Sequence, residues 1–528
     1  MRCLGLAFLL CFGLLCEAQK YDNVWLWGRY PSYQDSSQFF SGNGQGDFSS
    51  DSLQVYPKYR NMPFMAAAGY FSDENGNLLI YTNGMQIKDT TGSIIQNGDS
   101  INYGVWWSQS YYNMTQGATG YYTPRDIIIF HQPENDSVIL LIHEHTGDGP
   151  NTLASRVKMT KVIITPHNGF KVTTKNRIVS NYPPAFANLA ACKHGNGRDW
   201  WVLFTQTNTN CVVKLLVNKD TIIEFDRQCI GDTIEGDWSL KSTFSLDGTK
   251  FGSSDAVKHG TNIFDFDRCT GVLSNYQHLN PLIKLDTFGN YNDYVITFDF
   301  SPNNKFLYVF MGQMILQYDL ESPQFPNDFD TIAGWDTFVD SAIGQIYPFT
   351  YFSCTYGPDG KMYIGNAGGQ RYLCTINNPN GKGDLCDFRM RSIFLPKIWT
   401  YTTPNFPNYR LGRLAGSACD TVYSDVKPIY TQTPWLKVFP NPATNDVQFD
   451  YNWIEWEKIA DCELQISDLE GRVVLKQQVP KYSTRQNFSV KELAAGVYTV
   501  ALTATPKSPK GDFNSPQPIA VCKLTKVQ

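Results

Sequence analysis

The 528-residue sequence predicts an all-β fold, a seven-bladed β-propeller followed by a small C-terminal β-sandwich. Three observations carry that expectation. Apolar stretches between residues 21 and about 428 are short and are separated by Gly, Asn, Asp and Pro, with no long helical period among them. A phrase of strand, polar turn and second strand recurs through this region. The C-terminal residues then alternate apolar and polar positions over six segments of strand length, 446–451, 461–467, 472–479, 485–490, 496–504 and 518–524.

At the amino terminus Arg2 precedes an apolar run from Leu4 to Leu15, and Cys16-Glu17-Ala18 offers a small residue to signal peptidase. Residues 1–18 therefore read as a signal peptide. The run is too short to span a bilayer, and no later segment reaches the length of a membrane helix. Leu15 stands where a lipoprotein signal would need a small residue before Cys16.

The body, residues 19–430, carries the repeat. Its clear copies begin at Phe71 (Phe71-Ser72-Asp73-Glu74-Asn75-Gly76), Phe244 (Phe244-Ser245-Leu246-Asp247-Gly248), Phe300 (Phe300-Ser301-Pro302-Asn303-Asn304) and Tyr356 (Tyr356-Gly357-Pro358-Asp359-Gly360). Weaker copies begin at Phe130 and Lys193. From Phe244 the copies recur every 56 residues, at 300 and 356. One hairpin phrase per unit of that length fits a four-stranded blade, and about 405 residues then hold about seven blades. Six phrases are visible; the seventh blade is expected to close by joining Val24-Trp25-Leu26-Trp27 to strands within 390–428. The Ser-x-Asp-Gly and Pro-Asp-Gly phrases resemble the blade hairpins of YVTN and WD40-like propellers.

A net charge of -5 with scattered Lys and Arg argues against a nucleic-acid partner, while 14% aromatic and 18% charged residues suit an extracellular β-rich protein. His143-Glu144-His145 would point two imidazoles to one strand face, as a metal or proton-transfer pair needs, with His194, His259 or His278 as a third ligand. A plain polar strand face is the favoured alternative. Asp73, Asp247 and Asp359 would draw calcium or another divalent metal, but they lie outside any EF-hand pattern and suit turn capping instead; no cofactor is predicted. Serine-hydrolase and metalloprotease motifs are absent, and Gly42-Asn43-Gly44-Gln45-Gly46 lacks the surroundings of a phosphate cradle. The aromatics Trp106-Trp107, Tyr111-Tyr112 and Tyr121-Tyr122 fall in a stretch, 103–124, too long for a hairpin connection; exposed rings there would suit a glycan or protein ligand.

Of thirteen cysteines, ten follow the signal peptide. An even number in an exported chain favours disulfides. The expected pairs are Cys374–Cys386, Cys192–Cys211, Cys229–Cys269, Cys354–Cys419 and Cys462–Cys522.

After a linker at 431–435, residues 436–528 open with Leu436-Lys437-Val438-Phe439-Pro440-Asn441-Pro442 and close near Lys523. Between these lie the Asp468-Leu469-Glu470-Gly471-Arg472 turn and Gly496-Val497-Tyr498. These four ordered pieces resemble the type A C-terminal sorting domain of the type IX secretion system of Bacteroidota. The resemblance marks Pro440, Asn441, Pro442, Asp468, Gly471, Arg472, Gly496, Tyr498 and Lys523 as sorting-motif residues. It implies the secretion machinery as a partner and delivery through the periplasm to the cell surface or medium. The sequence thus favours a secreted binding or surface-interaction protein without catalysis; the alternative is an extracellular propeller-type hydrolase or lyase with its site at the central channel, using His143 and His145.

Overall fold

The computed structural model describes residues 19–28, 43–50, 52–64, 67–115, 120–121, 123, 125–146, 154–165, 169–234, 241–255, 260–280, 295–334, 338–340, 345–346, 349–366, 370–399, 404–420, 436–451, 459–506 and 517–528. The expected signal peptide, the 431–435 linker and His259 lie outside the described residues. The chain is all-β and divides into two compact units, Met1–Thr421 and Val422–Gln528.

In the first unit, antiparallel meanders follow one another in chain order. Sheet I holds Val24–Trp27, Gly44–Asp47 and Gln54–Pro57, and sheet II holds Gly69–Ser72, Leu78–Thr82 and Ile87–Asp89. Sheets III to VII each hold four strands and span Ile127–Ser180, Ala190–Cys229, Ser242–Leu279, Thr297–Ala333 and Tyr351–Trp399. A short hairpin, Val339–Asp340 with Gln345–Ile346, lies between the last two.

Every hairpin phrase in the sequence is the turn between the first two strands of a sheet: Phe71 pairs with Ile80, Phe130 with Leu140, Lys193 with Trp200, Phe244 with Phe251, and Phe300 with Leu307, while Tyr356 pairs with Met362. The acidic residues cap these turns. Asp73 Oδ1 accepts the amides of Asn75 and Asn77 at 2.9 and 2.8 Å, and Asp247 Oδ1 accepts that of Thr249 at 3.0 Å. Gly76, Gly248 and Gly360 supply the positive φ that closes them.

The Val24–Trp27 strand does not complete a blade with late strands, as expected; it pairs with Gly44–Asp47 of its own sheet. The glycines that look like a loop are strand residues making room for tryptophan. A Cβ on Gly44 would lie 2.2 Å from the Trp27 ring. Sheet I instead packs beside sheet VII, where Trp27 Nε1 donates to Lys397 O at 3.2 Å and Trp25 meets the Tyr363 ring edge-on. The 103–124 stretch also departs from expectation: Val105–Thr115 is α-helix, α1, so its aromatics are spaced on a helical face and do not alternate across a strand.

After sheet VII the chain doubles back as a strap, residues 404–420. Asn405 Nδ2 donates to Arg125 O and Leu189 O, Tyr409 OH to Ile129 O, and Asn408 Nδ2 to Leu246 O, so the strap crosses sheets III, IV and V. Arg410 forms a bidentate pair with Asp22 at 2.7 Å. Cys269–Cys419 fastens its end and closes a loop with a sequence separation of 150.

The cysteine pairing corrects the expected set. The bonds are Cys211–Cys229 and Cys269–Cys419, while Cys192, Cys354, Cys374, Cys386, Cys462 and Cys522 are thiols. Cys211 and Cys229 are direct cross-strand partners. Cys192 cannot reach Cys211, because strand Trp200–Thr205 lies between theirs, nor Cys462 reach Cys522 across strand Gly496–Pro506. Two strand spacings, about 9.6 Å, exceed disulfide reach. Cys229 and Cys419 are bonded elsewhere, Cys354 turns toward Lys241 at 3.5 Å, and Cys374 Sγ turns to Met390 Sδ, leaving Cys386 a separate buried thiol.

The second unit has a three-stranded sheet of Leu436–Phe439, Asp446–Tyr451 and Arg485–Ser489, and a four-stranded sheet ordered Val473–Gln478, Ile459–Ser467, Gly496–Pro506, Gln517–Lys526. One core joins them, with Val447, Phe449 and Phe488 from the first and Leu464, Ile466, Val500, Leu502 and Leu524 from the second. All six strands expected from alternation are present.

Candidate functional site

The inner strands of sheets IV to VII and the strap surround a cavity of about 240 Å³. Its volume equals about eight waters in the liquid, which limits it to a small molecule. Four of the charges on its wall stand in two ion pairs. Lys241 Nζ donates to Asp299 Oδ2 at 2.6 Å, with side-chain exposures of 1% and 7%, and also to Cys354 O at 3.1 Å. Arg410 and Asp22 form the second pair. Arg125 donates to Asn405 Oδ1 at 3.1 Å, which ties the strap to sheet III. Ser242 donates to Asn188 Oδ1, whose oxygen also accepts from Thr205. The Cys354 thiol is pushed up to about 11 by burial, so it faces this cluster protonated.

Two buried carboxyls stand behind the cavity. Glu144 accepts the amides of Asn188 at 2.8 Å and Ala187 at 3.3 Å, yet burial raises its pKa to about 8. Asp126 is fully buried, with neither carboxyl oxygen partnered among the described residues. Burial and then Glu144 hold it well above the carboxylate range.

The His-x-His motif lies buried within sheet III. His143 Nδ1 donates to Asn102 Oδ1 at 2.7 Å and its Nε2 accepts from Thr160 at 3.0 Å, and burial pushes its pKa down to about 3. Both ring nitrogens are thus engaged by neutral partners. His145 is buried on the same strand; His194 bonds Cys269 O and His278 bonds Asn262, each in other sheets. Among the described residues no group of three or more His, Cys, Asp and Glu converges as metal ligands would. Lys241, Arg410 and Asn405 carry no motif, so the sequence did not mark them. Asp299 left a faint signal, an acid inside the otherwise apolar strand Thr297–Phe300.

In the second unit the four sorting pieces come together. Asn441 Nδ2 donates to Lys523 O and its Oδ1 accepts the Thr525 amide, both at 2.8 Å, so the Pro440-Asn441-Pro442 opening is stitched to the closing strand. Asp468 accepts the amides of Glu470 and Arg472 and pairs with Arg472 Nε at 2.8 Å around Gly471, whose φ is 81°. Tyr498 OH donates to Ala494 O just before Gly496–Pro506.

Residues 437–510 match the secretion system C-terminal sorting domain family. This type IX sorting domain directs export to the cell surface or extracellular space. No helix among the described residues is long and apolar enough to cross a membrane. No curated protein matches the chain. Among solved structures, the chain is similar to a putative 6-phosphogluconolactonase from Bacteroides uniformis, at 12% identity and TM-score 0.41 over 72% of this chain and 98% of that one. A putative 6-phosphogluconolactonase from Bacteroides fragilis gives 11% and 0.41, over 71% and 96%. The Pseudomonas aeruginosa periplasmic gluconolactonase gives 11% and 0.32, over 95% and 98%.

Proposed function

We propose that the chain is an exported seven-bladed β-propeller with an immunoglobulin-like sorting tail, and that it binds a small polar molecule in the cavity without transforming it. The succession of meanders and the packing of sheet I beside sheet VII support a closed ring of blades. The observation that carries the binding role is the cavity wall itself. The buried Lys241–Asp299 pair, the Arg410–Asp22 pair and the hydrogen-bonded Arg125 fix polar groups around a space of about 240 Å³, as a site for a small polar ligand requires. A thermal-shift screen of the mature protein against sugars, polyols and amino acids tests it. A hit should raise the melting temperature, and Ala190→Met, which fills the cavity, should abolish the rise. A panel without hits would refute the assignment.

The hydrolase reading draws on a different observation, that burial raises the Glu144 pKa to about 8 and shifts Asp126 in the same direction, the direction a general acid needs. Turnover of esters or glycosides, lost in Glu144→Gln, would favour it.

A further inference from the structure

Helix α1 and the residue that leads into it carry a row of aromatic rings. Trp107 and Tyr111 lie one turn apart on the helix, and Tyr103, just before it, continues their row. Their rings form a continuous row: Tyr103 to Trp107 at 5.3 Å and tilted 47°, Trp107 to Tyr111 at 4.7 Å and nearly parallel at 12°. Trp107 packs against the body's core, while Tyr103 is 62% and Tyr111 38% exposed. The two terminal rings are therefore the ones open to a ligand.

The row is held rigid from below. Asn102 accepts from His143 Nδ1 at 2.7 Å, its own amide donates to Asn176 Oδ1 at 2.9 Å, and Ile101 N donates to Met85 O at 2.9 Å. Three separate stretches of the body thus pin the residues that open the helix, so its rings are ordered before any ligand arrives.

We propose that this face binds a neutral polysaccharide. The eleven residues of α1 include no acid and no base, only aromatic, apolar, hydroxyl and amide side chains. A membrane-surface helix would set Lys and Arg beside its aromatics, and a protein interface would ring them with a charged rim; this face has neither in its helix. An uncharged chain that offers C–H faces to the rings and hydroxyls to exposed Ser108 beside them matches it. Export brings the face into contact with such polymers. His143 thereby acquires a role, as the anchor of a binding element.

The test uses the mature full-length protein in affinity electrophoresis and pull-down with starch, β-glucan, xylan, mannan, cellulose and chitin. Alginate, pectate and phosphatidylcholine and phosphatidylglycerol vesicles serve as charged and lipid probes. At least one neutral polysaccharide should bind, and Tyr103→Ala/Tyr111→Ala should weaken it at least about tenfold, the loss of about 1.4 kcal/mol. Both side chains are exposed, so an unchanged melting temperature should show that the variant folds. Binding that persists in the variant, binding only to acidic polymers or vesicles, or no binding to any neutral polysaccharide would each overturn the proposal. The cavity reading is independent and stands or falls by its own screen.

Discussion

Replacing Glu144 with Gln should change how the stability of the body depends on pH. Glu144 has a pKa of about 8 in the fold against 4.5 unperturbed. Between those values the folded protein keeps a proton that the unfolded chain has released, so this group's contribution to stability falls as pH rises. At about 1.36 kcal/mol per pH unit, the whole window is worth about 5 kcal/mol. Its neighbour opposes it. His143 lies at about 3 in the fold against 6.5, so the unfolded chain takes up the proton first and stability falls as pH drops below 6.5. Asp126 is likewise shifted toward its protonated form and slopes in the same direction as Glu144 in both proteins, so the Glu144 contribution is read from the difference between the two profiles. Relative to Glu144→Gln, the wild type should lose about 1.4 kcal/mol of stability per pH unit between pH 4.5 and 8. Urea unfolding followed by tryptophan fluorescence across this range measures both profiles, since Trp200 and Trp201 are buried in the adjacent sheet. Parallel profiles for wild type and variant would show that Glu144 is not held protonated.

Lys241→Met should destabilise the body by about 3–5 kcal/mol because it strands the buried Asp299, and adding Asp299→Leu should recover most of that loss; calorimetry on the single and double variants decides it. Asn441→Ala should cost about 1–2 kcal/mol in the second unit by unstitching its two ends, and the exported fraction should fall in a native host. Thiol titration of the unreduced protein should find about six free thiols after denaturation and few before it, since burial pushes Cys192 and Cys462 up to about 12 and Cys354 and Cys522 up to about 11. A chain ended at Tyr430 should remain folded but accumulate in the periplasm, which fractionation and circular dichroism would show.

Much of the strand pattern was legible because the turns advertise themselves. Asp73, Asp247 and Asp359 signal tight reversals through their own amide bonds, a local effect that a linear sequence records faithfully. Sheet I was less legible for the opposite reason: Gly44 and Gly46 suggest a loop, and only the side chains beside them, Trp27 at Gly44 and Leu53 at Gly46, explain why glycine is needed there. Helix α1 left little trace because its row of rings is narrow and its remaining residues are mostly hydroxyl and amide side chains, so no broad apolar stripe marks it. The cavity was illegible altogether, since Lys241, Asp299 and Asn405 become neighbours only when separate sheets and the strap meet. Cysteine partners are decided by register and strand order, which a linear sequence does not record.

The Cys269–Cys419 bond also bears on how the protein withstands being hauled by its tail. Cys419 precedes the end of the first unit at Thr421. Along the described residues, tension travelling up the chain from the sorting domain meets the bonds of Asp420 and then Cys419, ahead of Asn405, Tyr409 and Arg410. There the force divides into sheet V through a covalent bond, and Asn405, Tyr409 and Arg410 are shielded from peeling one at a time. After a cut between the units, the same bond would stop the new carboxyl end from fraying past Cys419, so the cavity floor would survive loss of the address that carried it out of the cell.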